Sequence, residues 1–140
     1  MSSKLQILVA EDNRVLADVI QFNLEDEGFD VTVAHDGLKA LNLTRKHTYD
    51  LIICDYQMPG LSGEELLREV RAESMSQNAV CVLCSAKGYE LDVESLTNEL
   101  QLMQVVLKPF SPNQLVEFAY DAQAITAARS QSCSDEAVKI

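Results

Sequence analysis

The chain is short of basic residues and has no long apolar run, and each shortage excludes a class of function. Eleven lysines and arginines stand against twenty-two acidic residues, which leaves a formal net charge of −11 over 140 residues. Such a surface repels phosphate backbones and anionic lipid, so direct nucleic-acid binding is not expected. No apolar run approaches the roughly 18 residues that a membrane-spanning helix needs, so membrane insertion is not expected either.

The first residues also lack the apolar core of a secretory signal, because Glu11 and Asp12 follow the first short apolar run too soon. The chain has four cysteines, but without secretion a disulfide framework is not expected. Cys81 and Cys84 have C-x-x-C spacing, yet they lie in a run typical of a strand, where residues three apart point to opposite faces. We therefore expect buried, reduced thiols and a cytoplasmic location.

Short apolar runs alternate with stretches of helical spacing along the whole chain. Five such runs end at Ala10, Ala34, Cys54, Cys84 and Leu107. Several of them are continuous aliphatic segments, which are typical of strands covered on both faces. This alternation predicts one α/β domain, with a doubly wound sheet of five parallel strands flanked by five helices.

Capping residues indicate where helices begin. The segments Ser62-Gly-Glu-Glu65 and Ser111-Pro-Asn-Gln114 both have the spacing of a capping box. The last helix is predicted to run from about Pro112 to about Ala128. Residues 129–140 are polar and have no apolar period, so we expect a domain over 1–128 and a disordered tail over 129–140.

Side chains suited to chemistry collect where the predicted strands end. Glu11 and Asp12 follow the first strand, Asp55 the third, Ser85 the fourth and Lys108 the fifth. Ligands of open α/β sheets bind outside the carboxyl ends of the strands. Three carboxylates and one lysine leave a charge of −2 there. Because a close like-charge pair costs about 4 kcal/mol at an effective dielectric near 20, a hard cation such as Mg²⁺ is expected.

The same group of side chains suits phosphoryl transfer. With a divalent ion, Lys108 and the Ser85 hydroxyl could hold three oxygens of a phosphoryl group. That arrangement suits in-line attack by a carboxylate and a covalent acyl phosphate. Taken singly, each residue has an ordinary explanation, such as a turn at Asp55 before a Pro-Gly loop. Their joint placement at the ends of different strands favours a site for phosphoryl transfer over these separate explanations.

The segment Asp55-Tyr-Gln-Met-Pro-Gly-Leu-Ser-Gly63 resembles the phosphorylation loop of response-regulator receiver domains, which act in two-component signalling. Three further segments match the other motifs of that family in order and spacing: Glu11-Asp12, Ser85-Ala86 and Lys108-Pro109-Phe110. The resemblance covers roughly residues 4–125. It implies a flavodoxin-like sheet in the strand order 2-1-3-4-5, similar to that of stand-alone chemotaxis regulators.

The resemblance also implies a role for each acidic residue of the site. Asp55 would be the phosphoacceptor. Asp12, Asp55 and the backbone carbonyl of Gln57 would bind Mg²⁺, and Glu11 would help through a water molecule. The protein would then be a self-phosphorylating acceptor and not an enzyme that turns over an external substrate.

The same resemblance also implies roles for two more residues and the kinds of protein that act as partners. Ser85 would be the switching hydroxyl, and Lys108 would contact both the phosphoryl group and the carboxylate. The phosphoryl donor would be a sensor histidine kinase or a histidine phosphotransfer protein, and the signal would pass to an unidentified protein by binding or by phosphate relay. Gln57 and Lys87 are expected to tune the rate at which the phosphoryl group is lost.

Val105 departs from the family pattern. Receiver domains usually carry tyrosine, phenylalanine or histidine three residues before the lysine, and that ring turns inward on phosphorylation. Valine has one stiff χ1 and no ring, so Val105 cannot perform that movement. We hypothesise that Tyr89 and its loop carry the conformational change instead.

Four alternatives compete with this interpretation. A haloacid-dehalogenase-type phosphatase needs an acid two residues after its nucleophile, where Gln57 cannot supply a proton. A flavodoxin-like flavin binder needs a phosphate loop after the first strand, where Glu11-Asp12 would repel the flavin phosphate. A receiver-like scaffold that binds its partner without phosphorylation stays open, as does a receiver belonging to a longer response regulator or hybrid kinase.

Overall fold

A computed structural model of the protein describes residues 4–86 and 92–139, with side chains as far as Arg129. The strands are β1 (Gln6–Ala10), β2 (Asp30–Ala34), β3 (Leu51–Asp55), β4 (Val80–Ser85) and β5 (Leu102–Leu107). The helices are α1 (Arg14–Asp26), α2 (Gly37–Lys46), α3 (Gly63–Glu73), α4 (Val93–Leu100) and α5 (Pro112–Lys139). Strands and helices alternate throughout, as predicted.

All five strands are parallel and form one sheet in the order β2-β1-β3-β4-β5, which confirms the predicted fold. The chain runs from β1 outward to β2 and then returns to place β3 on the other side of β1. Ala10 at the end of β1 is in register with Cys54 near the end of β3. Because the strand order reverses at β1, the loops that follow β1 and β3 diverge and leave a crevice between them.

Successive strand residues pack into two hydrophobic layers on opposite faces of the sheet. In β3, Ile52 and Cys54 belong to the layer covered by α2, α3 and α4. Leu51 and Ile53 belong to the layer covered by α1 and α5. Both layers are therefore built from the continuous aliphatic runs of the sequence, and β3 is buried along its whole length.

The cysteines follow the same alternation. Cys81 packs on the α2–α3–α4 side and Cys84 on the α1–α5 side, so the C-x-x-C pair points to opposite faces as predicted. Cys54, Cys81 and Cys84 are free and buried. Burial raises the pKa of Cys81 to about 11 and that of Cys84 to about 12. These thiols therefore stay protonated at neutral pH and contribute to packing.

The first turn of α3 is held by the predicted capping box. Ser62 Oγ accepts a hydrogen bond from the Glu65 backbone N–H at 3.1 Å, and Glu65 Oε1 accepts one from the Ser62 N–H at 3.1 Å. At the start of α5, the Gln114 side chain likewise accepts from the Ser111 N–H at 3.0 Å. Pro112 is the first residue of that helix, a position that proline favours because its fixed φ already matches helical geometry.

The last helix is longer than the sequence predicted. α5 runs to Lys139, whereas its end was expected near Ala128. Residues 129–139 contain no proline or glycine that would break a helix, so the backbone continues although the apolar period has ended. The division into a domain over 1–128 and a separate tail over 129–140 stays a prediction. Within the described part of the chain, no helix is both long and apolar enough to cross a membrane.

Candidate functional site

Asp55 is the last residue of β3, at the carboxyl edge of the sheet, and it is 8% exposed. The chain that leaves it is held on both sides by backbone hydrogen bonds. The Tyr56 N–H donates to the Cys84 carbonyl oxygen at 2.7 Å, and the Gly63 N–H donates to the Tyr56 carbonyl oxygen at 2.8 Å. The carboxylate therefore projects from a segment fixed to β4 and to the start of α3.

Gly63 permits the start of α3 to approach Asp55 closely. A Cβ atom at position 63 would collide with the Asp55 carbonyl oxygen and would lie 2.8 Å from Leu83 Cδ1. Real Cβ atoms do not come so close to other heavy atoms, so α3 or β3 would have to shift. The position of the Asp55 carboxylate therefore depends on residue 63 being a glycine, which has no Cβ atom.

Lys108 follows β5 directly and reaches two carboxylates. Its backbone N–H donates to the Ser85 carbonyl oxygen at 2.9 Å, which ties it to the end of β4. Its Nζ donates to Glu11 Oε1 at 3.0 Å and to Asp55 Oδ2 at 3.1 Å. Burial acts to lower the pKa of Lys108, but the hydrogen bonds to Glu11 and Asp55 outweigh this effect and raise it. Lys108 is therefore an ammonium group at neutral pH.

Glu11 is a buried acid, 3% exposed, beneath the site. Its backbone N–H donates to the Ala34 carbonyl oxygen at 3.0 Å, and its Oε2 accepts from the Asn13 N–H at 3.2 Å. His35 Nδ1 lies 3.2 Å from the Glu11 carbonyl oxygen, which can only accept, so Nδ1 is the donor in this hydrogen bond. Burial raises the pKa of Glu11; the hydrogen bond from Lys108 opposes this rise and the charge of Asp55 adds to it.

Glu11, Asp12 and Asp55 form a cluster of three carboxylates. One ligand oxygen from each lies within 4.8 Å of those of the other two. Asp12 is exposed, whereas the other two are buried and share one ammonium group. Carboxylate oxygens at this spacing and an uncompensated charge of −2 fit a hard divalent cation, and Mg²⁺ prefers such ligands together with retained water.

A cavity of about 230 Å³ opens beside this cluster. Residues from four different loops and strand ends line it, namely Asp12, Asp55, Gln57, Ser85, Ala86 and Lys108. Ser85 ends β4 and is 2% exposed. The structure thus brings the predicted metal, acceptor and phosphate-binding residues to one place, with Glu11 below the cavity and Lys108 between Glu11 and Asp55.

Several supporting contacts were not predicted from the sequence. The bonds of Asn13 and His35 to Glu11 were missed, although Asn13 has the spacing of a helix cap and does cap α1. The close approach of Gly63 to Asp55 depends on tertiary packing, which no local pattern shows. Lys87 and Tyr89, for which roles were predicted, lie outside the described residues.

The fold and the site together define a phosphoacceptor domain, and comparison with known proteins gives its family. The model of the response regulator receiver domain family matches residues 7–120. The receiver domain of Francisella response regulator 1452 is 32% identical, with 88% of this chain and 99% of that chain covered and a TM-score of 0.78. The chain therefore belongs to the response regulator receiver family, whose members are phosphoacceptors of two-component signalling.

Other solved structures share the fold. A receiver domain protein from Clostridium thermocellum is 25% identical over 89% of this chain and 98% of that chain, with a TM-score of 0.78. The chemotaxis response regulator CheY4 of Vibrio cholerae is 23% identical over 86% of this chain and 99% of that chain, with a TM-score of 0.77. The family match favours the receiver interpretation over the phosphatase and flavin-binding alternatives.

Replacing Gly63 tests how α3 positions the acceptor. Gly63→Ala should lower the free energy of unfolding by about 2 kcal/mol, because the added methyl group overpacks the contact with Asp55 and Leu83. It should also slow phosphorylation, since the carboxylate is displaced. Urea unfolding followed by circular dichroism measures the first effect. Glu73→Ala, at an exposed position of the same helix, should change stability by less than about 0.5 kcal/mol; an equal loss in both variants would contradict the close-approach argument.

Removing the shared cation tests the electrostatics of the cluster. Lys108→Met should destabilise the metal-free protein by about 2 kcal/mol, because two buried carboxylates lose their partner. Added Mg²⁺ should then raise its melting temperature more than that of the unaltered protein, since binding to the folded state relieves the larger repulsion. Thermal unfolding with and without Mg²⁺ measures this, with Lys46→Met as the control. Equal Mg²⁺ stabilisation in all three proteins would refute the shared-cation account.

Proposed function

We propose that Asp55 accepts a phosphoryl group from the phosphohistidine of a sensor histidine kinase or a histidine phosphotransfer protein. The observation that carries this proposal is the Lys108 ammonium group, which holds Asp55 Oδ2 at 3.1 Å beside the cavity of about 230 Å³. Of the carboxylates near Lys108, Asp55 lines that cavity, whereas Glu11 lies buried below it. Asp12 lines the same cavity but is not held by Lys108, so Asp55 is the carboxylate of the cluster that has both the cavity and the Lys108 contact.

The proposed step is an in-line displacement at phosphorus. A carboxylate oxygen of Asp55 forms the new P–O bond while the bond between phosphorus and the histidine nitrogen breaks, and the electron pair stays on the imidazole nitrogen. Because Oδ2 accepts the hydrogen bond from Lys108, Oδ1 is assigned as the attacking oxygen. Lys108 and the hydroxyl of Ser85 then donate hydrogen bonds to the oxygens of the transferred group, whose negative charge they stabilise.

The acidic cluster is proposed to hold Mg²⁺ through Asp12, Asp55 and the Gln57 backbone carbonyl, with Glu11 acting through water. Asp12, Asp55 and Gln57 line the same cavity, and the carboxylates of Glu11, Asp12 and Asp55 meet within 4.8 Å. When bound, the ion supplies Lewis-acid neutralisation of charge on the phosphoryl oxygens. Without such neutralisation, the −2 charge of the cluster repels an anionic donor.

The product of this reaction is the modified protein itself. Asp55 is consumed until the acyl phosphate hydrolyses or passes to another histidine, so the chain does not turn over an external substrate. We propose a cytoplasmic location, which suits a partner of histidine kinases and the three free, buried thiols of Cys54, Cys81 and Cys84.

The donor protein is proposed to dock on α1, beside the acceptor. Val15, Val19 and Phe22 are 74%, 39% and 70% exposed, and their spacing of four and three residues places them on one face of the helix. This apolar stripe begins next to the site, since Leu16 and Lys108 line a common cavity of about 400 Å³. An exposed apolar stripe on a helix can pack against an apolar face of a partner protein. Because the stripe begins beside the site, a partner bound there would lie next to Asp55.

Phosphorylation with a small donor tests the acceptor assignment. Acetyl phosphate with Mg²⁺ should increase the mass of the protein by one phosphoryl group. Asp55→Asn or excess EDTA should abolish the increase, because the first removes the nucleophile and the second leaves the carboxylates uncompensated. Asp121→Asn, at an exposed position of α5, should label normally. Full labelling of Asp55→Asn would disprove the assignment, and failure of the unaltered protein to label would favour a phosphorylation-independent scaffold.

Transfer from a protein donor tests the stripe on α1. Phe22→Ala should slow phosphorylation by a phosphohistidine protein about tenfold, because a central aromatic contact is typically worth over 1 kcal/mol in such interfaces. Phosphorylation by acetyl phosphate should be unchanged, since the acceptor site is intact. Leu38→Ala, which removes another exposed apolar side chain, is the matched control. An equal loss in the control, or a loss with acetyl phosphate, would contradict docking on α1.

A further inference from the structure

Helix α2 is a positively charged surface in an acidic protein. It carries Lys39, Arg45 and Lys46 and no acidic residue, whereas the whole chain has a net charge of −11. Each of the other four helices has more acidic than basic residues. The charge of this one helix is therefore opposite in sign to the net charge of the protein. A positively charged surface of this kind attracts an anionic partner.

Two of these cations are available for a partner. Arg45 lies 3.9 Å from Glu69 on the neighbouring helix α3, so its charge is partly compensated. Lys39 and Lys46 are exposed, and neither forms an ion pair with any residue in the described ranges. They are seven residues apart, about two helical turns or 10 Å, and so lie on the same side of α2.

A groove with an apolar floor separates these two lysines. Its volume is about 340 Å³, and it lies between α2 and the neighbouring strand β2. Ala34 and Leu43 contribute apolar surface to it, while Lys39 and Lys46 stand on its α2 side. No lining residue of this groove lines the cavity beside Asp55, so the groove is distinct from the acceptor site.

The other side of the groove is an open strand edge. β2 is the outermost strand of the sheet and pairs with β1 alone among the described strands. The N–H and C=O groups on its outer side therefore face away from the sheet, and such an edge can accept a further strand from another chain.

We propose that this groove binds an acidic, extended segment of another protein, which adds to β2 as an edge strand. Two acidic side chains four residues apart lie about 13 Å from each other along a strand. The long side chains of Lys39 and Lys46 can span the small mismatch with their own spacing. An apolar residue midway between the two acids then packs against Ala34 and Leu43.

Other occupants fit the groove less well. Symmetric pairing of two copies of this chain would bring two cationic α2 helices together, and their charges would repel. A nucleic acid would meet the net charge of −11 outside the few cations of α2. Inorganic phosphate would leave the apolar floor uncovered. An acidic peptide with a central apolar residue matches both the charge and the floor.

Titration with a designed peptide tests the proposal. The probe is the seven-residue peptide Thr-Glu-Thr-Val-Thr-Glu-Thr, added to the ¹⁵N-labelled full chain and followed by amide chemical shifts. Shifts should concentrate on residues 31–35 and 39–46 and should saturate with peptide concentration. The same peptide with glutamine in place of glutamate should bind about fivefold more weakly, as expected for the loss of two exposed ion pairs.

Matched variants decide whether the lysines recognise the peptide. Lys39→Gln with Lys46→Gln should weaken binding about fivefold, whereas Asn98→Asp with Gln104→Glu should not, although both pairs change the net charge by the same amount. Thermal unfolding verifies that both variants fold. Equal affinity for the two peptides, equal loss in both variants, or shifts elsewhere would overturn the proposal. Lysine-dependent binding of a DNA oligonucleotide in place of the peptide would also overturn it, and Asp55→Asn should bind the peptide normally because the acceptor is not involved.

Discussion

The ammonium group of Lys108 holds two buried carboxylates together at the carboxyl edge of the sheet, at 3.0 Å from Glu11 and 3.1 Å from Asp55. These three residues come from the ends of three strands that are far apart in the sequence, so the interaction joins β1, β3 and β5 at one point. Buried charges are tolerated only when they are paired, and the removal of one partner leaves the other uncompensated. The geometry of the site therefore depends on this lysine.

One cation cannot neutralise the whole cluster. Asp12 adds a third carboxylate within 4.8 Å, and the cluster keeps a charge of −2 in the absence of a metal ion. This residual charge fits a divalent cation, and in the proposed mechanism it repels an anionic donor until that cation is bound. Charge balance is therefore the proposed link between metal binding and phosphoryl transfer to Asp55.

Much of this arrangement could be predicted because it depends on local patterns. Continuous aliphatic runs identify buried parallel strands, and the carboxyl ends of such strands share one edge of the sheet. The positions of Asp55, Ser85 and Lys108 directly at the ends of three runs therefore predicted that their side chains would meet. The capping box at Ser62 was predictable for the same reason, since all its atoms lie within one turn.

The remaining features depend on tertiary contacts or on continuity of the backbone. No sequence pattern distinguishes the buried Glu11 from the exposed Asp12 beside it, because the difference comes from the bonds of Glu11 to Lys108 and Asn13. The end of α5 was predicted wrongly, because the loss of an apolar period does not end a helix when no proline or glycine follows. The groove between β2 and α2 could not be predicted from local patterns, because its prediction requires knowing which strand lies at the sheet edge.

Val105 provides no aromatic ring near the site, and backbone hydrogen bonds join the loop after Asp55 to its neighbours. Val105 is in register with Leu83 and packs in the α2–α3–α4 layer, where a valine side chain has no ring to turn. From the acceptor loop, the Gly63 N–H connects to Tyr56 and the Gly37 N–H connects to the carbonyl oxygen of Pro59 at 3.3 Å. These bonds lead to the first residues of α3 and α2. The loop after Asp55 is therefore bonded to two helices on the same face of the sheet, and one of them, α2, carries the cationic surface of the molecule.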